Sequence, residues 1–250
     1  MRIARTWPPY RFSVRYTQKR ETVSLKLAVF DMIGTTVRAG NEVPSSFSEA
    51  FRSIGITLSD SAITQIRGRS KREAISDLLS KHNVDPAGDG GAADQVYARF
   101  LAALQAAYRK HAQSIPGVED VFRFLQRSGV RIVLATGLDR VTAEILFHRL
   151  GWESLGLSGL VTGDDVGRGR PAPDLIFAAM RLAGVADTRS VAVIGDTTAD
   201  LEAAAKAEVE WRIGVLTGAH SRLQLEAHPH SAVLESVVDL PGWLKEVGAL

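Results

Sequence analysis

Three aspartates stand where apolar segments end, and together they could support chemistry at a phosphorus centre. Asp31 ends the run LAVFD and is followed by Gly-Thr-Thr at positions 34–36. Asp196 and Asp200 lie four residues apart in GDTTAD, which follows the apolar run SVAVIG. Carboxylate oxygens are the ligands that Mg²⁺ prefers, and a carboxylate can also attack phosphorus to form an aspartyl phosphate. We therefore predict Asp31 as a nucleophile, and Asp31 and Asp196 as candidate metal ligands.

Hydroxyl, glycine and arginine residues near other segment ends supply groups that hold phosphate oxygens. The segment LATG places Thr136 and Gly137 after a further apolar run, and GRGRPAPD places Arg170 before a proline that can start a helix. Arginine binds phosphate through its charge and its paired N–H donors, and threonine binds it through a hydroxyl. With Thr35, these residues form the predicted binding site for the phosphoryl group of a small anionic substrate.

Each of these segments also has an ordinary structural interpretation when taken alone. A strand that ends in an acid and a glycine is often only a turn, as is a Thr-Gly pair. Asp196 fits a turn, and Asp200 fits the first turn of a helix, where its charge complements the helix dipole. The chemical interpretation therefore depends on the segments meeting in space.

The pattern of elements predicts such a meeting. Apolar strand candidates at 25–30, 131–136, 159–162, 190–195 and 209–216 alternate with amphipathic helices at 117–129, 142–151, 174–184 and 199–207. Continuous apolar strands separated by helices favour an α/β fold, a Rossmann-like doubly wound parallel sheet covered on both faces. Ligands bind beyond the carboxyl ends of such strands, so Asp31, Thr136 and Asp196 should lie along one edge. The segment GAHSR (218–222), after the last strand candidate, could line the rim of that site.

The alternation is interrupted once. Between residues 41 and 114 we predict no strand, only helices around 45–54, 70–81 and 93–112 and a Gly/Ala/Asp-rich loop at 83–94. We interpret 41–114 as a helical cap inserted into a core formed by 25–40 and 115–250. An insertion that leaves the sheet directly after the Asp31 loop can cover the site as a lid.

Composition limits the remaining possibilities. The chain of 250 residues contains no cysteine, which excludes disulfides and thiolate chemistry, and no apolar run long enough to span a membrane. Residues 1–24 carry a net charge of +5 while the whole chain carries +2, so the remainder carries −3. We predict a disordered basic extension at 1–24, a cytoplasmic protein, and no binding to nucleic acid or membranes.

The order of the motifs resembles that of the haloacid dehalogenase superfamily. The order DxxGTT, T-G, G-R-P and GDxxxD spans residues 31–200, and the insertion resembles the superfamily's helical C1-type cap. The resemblance implies a hydrolase that uses Mg²⁺. It also implies Asp31 as nucleophile, Thr136 and Arg170 as phosphate-binding groups, and Asp196 as a metal ligand. The carbonyl of Ile33 would be a further ligand, and Asp200 would bind the metal or orient its waters.

Ile33 is unusual within this resemblance. The superfamily's ordinary phosphatases carry an aspartate two residues after the nucleophile, and that acid protonates the leaving alkoxide. Isoleucine cannot transfer a proton, and general acid–base catalysis typically contributes about 10²–10⁴-fold. The phosphonoacetaldehyde hydrolase branch resembles this chain here, since its loop is also D-x-(small apolar)-G-T-T. In that branch a cap lysine in Gly-x-x-Lys forms a Schiff base with the substrate aldehyde, which implies Lys71, in Gly68-Arg69-Ser70-Lys71, as the catalytic amine.

Several positions depart from that branch. Ala74 stands where the branch has histidine, Arg67 where it has methionine and Leu138 where it has tyrosine. Arg67 is consistent with a substrate that carries an additional carboxylate. Two functions therefore remain open, a phosphonatase-like hydrolase and a phosphate monoesterase resembling phosphoglycolate phosphatase. The resemblance further implies a homodimer formed through the cap.

Overall fold

The computed structural model describes residues 23–66, 70–84 and 91–250. Its strands are β1 (Leu27–Phe30), β2 (Arg131–Ala135), β3 (Gly159–Val161), β4 (Val191–Gly195), β5 (Trp211–Val215) and β6 (Ala232–Leu234). Helices α1–α4 lie between β1 and β2: α1 (Glu42–Arg52), α2 (Asp60–Gln65), α3 (Lys71–Lys81) and α4 (Gly91–Lys110). The remaining helices are α5 (Val118–Arg127), α6 (Arg140–Arg149), α7 (Asp174–Ala183), α8 (Thr198–Lys206), α9 (Arg222–Glu226) and α10 (Leu240–Glu246).

The six strands form one parallel sheet in the order β3-β2-β1-β4-β5-β6. β1 lies in the middle, paired on one side with β2 and on the other with β4. The chain therefore reverses its direction of travel across the sheet next to β1, and in open α/β sheets such a reversal opens a crevice beyond the strand ends. Asp31, Thr136 and Asp196 directly follow β1, β2 and β4.

Both faces of the sheet are buried, which explains why its strands are continuously apolar. Successive side chains of a strand point to opposite faces, so Ala28 and Phe30 join one cluster while Leu27 and Val29 join the other. The first cluster includes residues of α5, α6 and α10, and the second includes residues of α7 and α8. Helices on both faces satisfy the requirement of a parallel sheet for two buried sides.

The segment between β1 and β2 is helical in the described residues, apart from isolated bridges at its two ends. Its entry and exit run side by side: the N–H of Arg38 donates to the carbonyl of Gln113, and the N–H of Ile115 donates to that of Thr36, both at 2.8 Å. These hydrogen bonds tie the two connections to the sheet into one narrow neck. The division into a core and a cap at 41–114 stays a prediction, and this neck is the structural feature that favours it.

The predicted fold class is confirmed, and the five predicted strands are present with ends that shift by at most two residues. Four short elements escaped prediction: β6 and the helices α2, α9 and α10. Each has only three to seven residues, too few for a periodic pattern to emerge. No described helix is both long and apolar enough to cross a bilayer. The predicted basic extension at 1–24 lies almost wholly outside the described residues, as does half of the 83–94 loop, residues 85–90.

An aromatic cluster between the sheet and α5 should be a main source of stability. The ring of Phe122 lies edge-on to Phe30 at 5.4 Å and to Trp152 at 5.7 Å between centroids, and all three side chains are buried. Phe122→Ala should lower the free energy of unfolding by about 3–5 kcal/mol, measured by urea denaturation. Leu223→Ala is the control; that side chain is 81% exposed, and its loss should change stability by no more than about 0.5 kcal/mol. Equal effects of both substitutions would contradict the assigned core.

Candidate functional site

A cavity of about 80 Å³ lies between the carboxyl edge of the sheet and the helical insertion. Its sheet side is mostly polar and is formed by Asp31, Ile33, Thr136, Gly137, Leu138, Arg170, Asp196, Thr197, Asp200 and Ala219. Its insertion side is mostly apolar and is formed by Ala39, Gly40, Val43, Pro44, Phe47, Ile63, Ile66, Lys71 and Tyr108. The structure thus brings together every predicted site residue that it describes, except Thr35.

Arg170 connects two of the aspartates in the floor of the cavity. One of its terminal nitrogens lies 2.6 Å from Oδ1 of Asp31, and the other contacts Oδ1 of Asp200. All three side chains are at most 8% exposed. Burial opposes the charge of Arg170, but Asp200 and Asp31 outweigh it and raise the pKa of the guanidinium. Arg170 therefore holds Asp31 in place and stays positive close to where a phosphoryl group would approach.

Asp200 is fixed by the helix that carries it. Its Oδ2 accepts hydrogen bonds from the N–H and hydroxyl of Thr197, at 3.0 and 2.6 Å, and the hydroxyl of Thr197 in turn accepts from the N–H of Asp200. This reciprocal capping box satisfies the free donors at the start of α8. The sequence interpretation of Asp200 as a first-turn helix residue and its predicted place in the site are therefore compatible. Its predicted role at a metal stays a prediction.

Asp196 is held by a close backbone enclosure. The N–H of Ala219 donates to its Oδ2 at 2.7 Å, and the hydroxyl of Thr35 donates to its Oδ1 at 3.3 Å. A methyl group on Gly34 or Gly218 would collide with this carboxylate, and Gly34 has φ +95°, which also favours glycine. Thr35 thus contacts Asp196 rather than the cavity, which differs from the phosphate contact expected from the sequence.

The buried carboxylates create an excess of negative charge. Burial is the main cause that raises the pKa of Asp31 to about 6, and Asp200 adds to it while Arg170 opposes it. Burial, with Asp31 and Asp200, also raises the pKa of Asp196 well above its ordinary value. Within the described ranges, Asp196 forms no ion pair with a lysine or arginine. A cation bound beside Asp31 and Asp196 would offset this negative charge and lower the pKa of both carboxyl groups.

The donors present fit a hard cation such as Mg²⁺. In the part of the chain that is described, no three His, Cys, Asp or Glu side chains are grouped as a ready metal cage. Mg²⁺ binds through one or two carboxylates and completes its shell with waters and substrate oxygens. Asp31 and Asp196, which both line the cavity, would supply those carboxylates. The carbonyl of Ile33, a residue that also lines the cavity, stays a predicted further ligand.

Lys71 enters the cavity from the insertion, as the first residue of α3. The residue before it, Ser70, caps the helix by accepting from the N–H of Glu73. The start of α3 packs directly on the loop before Arg170, because a methyl group on Gly169 would lie only 2.8 Å from Cβ of Ser70. Burial, and then the charge of Arg170, lowers the pKa of Lys71 to about 8. A lysine amine with this pKa is partly neutral, and so nucleophilic, near neutral pH.

The positions that depart from the resemblance have different surroundings. Leu138 lines the cavity, so its side chain shapes the substrate's surroundings. Ala74 is fully buried in the apolar core and does not line the cavity. Arg67 and the glycine of Gly-x-x-Lys lie outside the described residues, so the expected carboxylate contact of Arg67 stays a prediction.

The sequence interpretation missed Tyr108. Its side chain is 1% exposed and lines the cavity, and its hydroxyl has no hydrogen-bond partner within the described residues. Tyr108 ends a regular four-residue spacing of buried residues on α4, with Val96, Phe100 and Leu104. That spacing indicates a core stripe, and the one available signal was a polar hydroxyl at its end. The expectation that the segment GAHSR (218–222) lines the rim of the site agrees with the structure, because Ala219 lines the cavity.

Comparisons with known proteins point to one family. A family model described as haloacid dehalogenase-like hydrolase matches residues 25–208. A phosphonoacetaldehyde hydrolase of Bordetella pertussis is 24% identical over 259 residues, covering 90% of this chain and 93% of that protein. One of Bacteroides fragilis is 26% identical over 224 residues, covering 83% of this chain and 82% of that protein. A crystal structure of a phosphonoacetaldehyde hydrolase like protein from Oleispira antarctica superposes with a TM-score of 0.80 at 21% identity, covering 90% and 93%. At that identity the structural likeness shows the fold alone.

The contact between Gly169 and Ser70 should control the reactivity of Lys71. Acetylation of Lys71 by acetic anhydride, followed by mass spectrometry without divalent cations, should titrate with a midpoint near pH 8. Gly169→Ala should push the start of α3 outward and hydrate the amine, which moves the midpoint up towards the ordinary lysine pKa. Gly167→Ala is the matched control, since a methyl group there meets nothing within 4 Å. An unchanged midpoint in Gly169→Ala would contradict this packing.

Proposed function

Because the chain belongs to the haloacid dehalogenase-like hydrolase family, we propose that it hydrolyses the phosphorus–carbon bond of a phosphonoacetaldehyde-type substrate. Asp31 acts as the phosphoryl acceptor, and Lys71 activates the carbonyl group as a Schiff base. Relatives named phosphonoacetaldehyde hydrolase that align over most of this chain support the proposal.

One observation carries the proposal: Lys71 and Asp31 line the same cavity, and Ile33 lines it as well. A hydrocarbon two residues after the nucleophile cannot protonate an alkoxide, so an ester leaving group would receive no help from this position. A carbon leaving group needs no proton if its electrons have somewhere to go. An imine on Lys71 provides that electron sink.

The first step joins the substrate to the enzyme. The neutral amine of Lys71 attacks the carbonyl carbon, and the adduct takes up one proton and loses one water to leave a protonated imine. The low pKa of Lys71 makes the neutral amine available, since burial and Arg170 both disfavour its charged form. Thr136, the backbone of Gly137 and Arg170 hold the phosphonate oxygens meanwhile.

The second step breaks the phosphorus–carbon bond. Arg170 contacts Oδ1 of Asp31, which leaves Oδ2 to attack phosphorus. As the new P–O bond forms, the P–C bond breaks and leaves an aspartyl phosphate. The electron pair of the P–C bond forms a C=C bond, the π electrons of the protonated imine move to nitrogen, and the product is an enamine. Protonation at carbon and hydrolysis of the imine then release the aldehyde and restore Lys71.

The third step restores the nucleophile. Water attacks the phosphorus of the aspartyl phosphate and releases inorganic phosphate and the carboxylate of Asp31. Bound at Asp31 and Asp196, Mg²⁺ would offset the charge of the phosphoryl oxygens. Asp200 acts through its contact with Arg170 and holds that guanidinium beside the reacting group.

The imine can be tested directly. Borohydride reduction in the presence of phosphonoacetaldehyde should add the substrate's mass to Lys71, detected by peptide mass spectrometry. Lys71→Arg should abolish both trapping and phosphate release, because arginine keeps a positive charge at this position but never becomes neutral and therefore forms no imine. Lys81→Arg, on the exposed end of the same helix, should leave both unchanged.

Two outcomes would contradict the imine mechanism. The first is phosphate release from the phosphonate by an enzyme whose Lys71 stays unmodified. The second is hydrolysis of phosphate esters that survives Lys71→Arg, which would favour the phosphate monoesterase instead.

Ile33 offers a complementary test, a gain of activity. If the absence of a proton donor at this position limits ester hydrolysis, Ile33→Asp should raise the rate on small phosphate monoesters by about 10²-fold or more. Ile33→Asn is the matched control, of similar size but unable to transfer a proton. Equal rates in both variants, measured by phosphate release with Mg²⁺ present, would count against this role of position 33.

A further inference from the structure

The apolar side of the cavity holds two polar side chains among its described lining residues, Lys71 and Tyr108. The proposed mechanism uses Lys71 and leaves Tyr108 without a task. A buried hydroxyl without a partner is costly, since it loses water and gains nothing in exchange. Such a group on a residue that lines a binding cavity points to a ligand that supplies the missing partner.

The surroundings of Tyr108 define what that partner is. The phenol is close enough to Glu42 and Asp31 for their charges to add to burial, and all three raise its pKa. The hydroxyl therefore stays protonated at any ordinary pH and offers one O–H donor. Its natural partner is an uncharged or developing-negative oxygen on the substrate.

The substrate has one such oxygen on its carbon skeleton. Asp31, Thr136 and Arg170 fix the phosphonate end at the sheet side of the cavity, so the carbonyl end must extend towards the insertion, where Lys71 and Tyr108 lie. The rest of the described lining there is mostly apolar and includes Val43, Pro44, Phe47, Ile63 and Ile66.

We infer that Tyr108 is a catalytic residue whose hydroxyl donates a hydrogen bond to the carbonyl oxygen of the substrate. The bond polarises the carbonyl for attack by Lys71 and strengthens as that oxygen gains negative charge in the tetrahedral adduct. The inference rests on the proposed function for the catalytic step. The carbonyl contact itself is a statement about binding, and it can be tested without any reaction.

The same geometry specifies the class of substrate. It is a phosphonate with a carbonyl group two bonds from phosphorus, and the described apolar wall suits hydrogen or a small alkyl group on the far side of that carbonyl. A carboxylate there would lose water at a cost and would meet no described cation on this wall besides Lys71, so a substrate with a carboxylate would need Arg67, which lies outside the described residues.

Binding of two unreactive ligands separates the carbonyl contact from the chemistry. Phosphonoacetamide carries a carbonyl that does not form an imine, and 2-methylpropylphosphonate has the same shape without a carbonyl. Calorimetry should show that Tyr108→Phe weakens the binding of phosphonoacetamide by about 5–10-fold, the effect of one lost hydrogen bond. The affinity for 2-methylpropylphosphonate should stay unchanged. Tyr97→Phe, on the same helix but outside the cavity lining, should affect neither ligand.

The rate of imine formation tests the catalytic step. With phosphonoacetaldehyde and borohydride in a single turnover, Tyr108→Phe should slow labelling of Lys71 by about 10²-fold, as for loss of a donor to a developing oxyanion. The melting temperature should stay equal or rise, because the substitution removes an unpartnered buried hydroxyl and keeps the ring.

The outcomes are distinguishable. The carbonyl contact is overturned if Tyr108→Phe weakens the binding of both ligands equally or of neither. It is also overturned if neither ligand binds the wild-type protein. If it weakens phosphonoacetamide alone while wild-type Lys71 is never labelled, the contact stands and the proposed phosphonatase function fails. If Lys71 is labelled equally fast in both proteins, the catalytic role of Tyr108 is overturned.

Discussion

The site depends on how three buried aspartates are compensated at one edge of the sheet. Burying a carboxylate is unfavourable unless it is paired and hydrogen-bonded. Arg170 pairs with Asp31 and Asp200, while Asp196 relies on the hydroxyl of Thr35 and the N–H of Ala219. One guanidinium and neutral donors leave a negative excess, which the amine of Lys71 and the proposed Mg²⁺ would offset.

The compensation also sets the reactivity of the two groups that would meet the substrate. Arg170 favours the ionised form of Asp31 and disfavours the charged form of Lys71, so one cation favours the nucleophilic state of both. Burial disfavours the charged form of both groups, with opposite effects on their reactivity. It keeps Lys71 partly neutral and so nucleophilic, but it also disfavours the nucleophilic anion of Asp31. A divalent cation at Asp31 and Asp196 would shift this balance towards the anion and leave the amine neutral.

The sequence predicted the sheet side of the site better than the insertion side, for a physical reason. Parallel strands bring their carboxyl ends to one edge, so Asp31, Thr136 and Asp196 could be placed together from strand positions alone. Tyr108 could not, because its spacing on α4 is that of an ordinary core residue. The contact of Gly169 with Ser70 joins loops 99 residues apart, and no local pattern encodes it.

The division of the cavity into a polar and an apolar side constrains the chemistry more than any single residue does. In the proposed reaction the polar side binds and attacks a phosphoryl group, but it offers the leaving group no acid at position 33. The leaving group must therefore be stabilised from the apolar side, where a partly neutral amine and a protonated phenol are the polar groups in the described lining. An amine and a hydrogen-bond donor beside an uncharged surface suit a carbonyl compound and not an alkoxide. The isoleucine at position 33 and the lysine on the insertion thus impose the same requirement from opposite sides of the substrate.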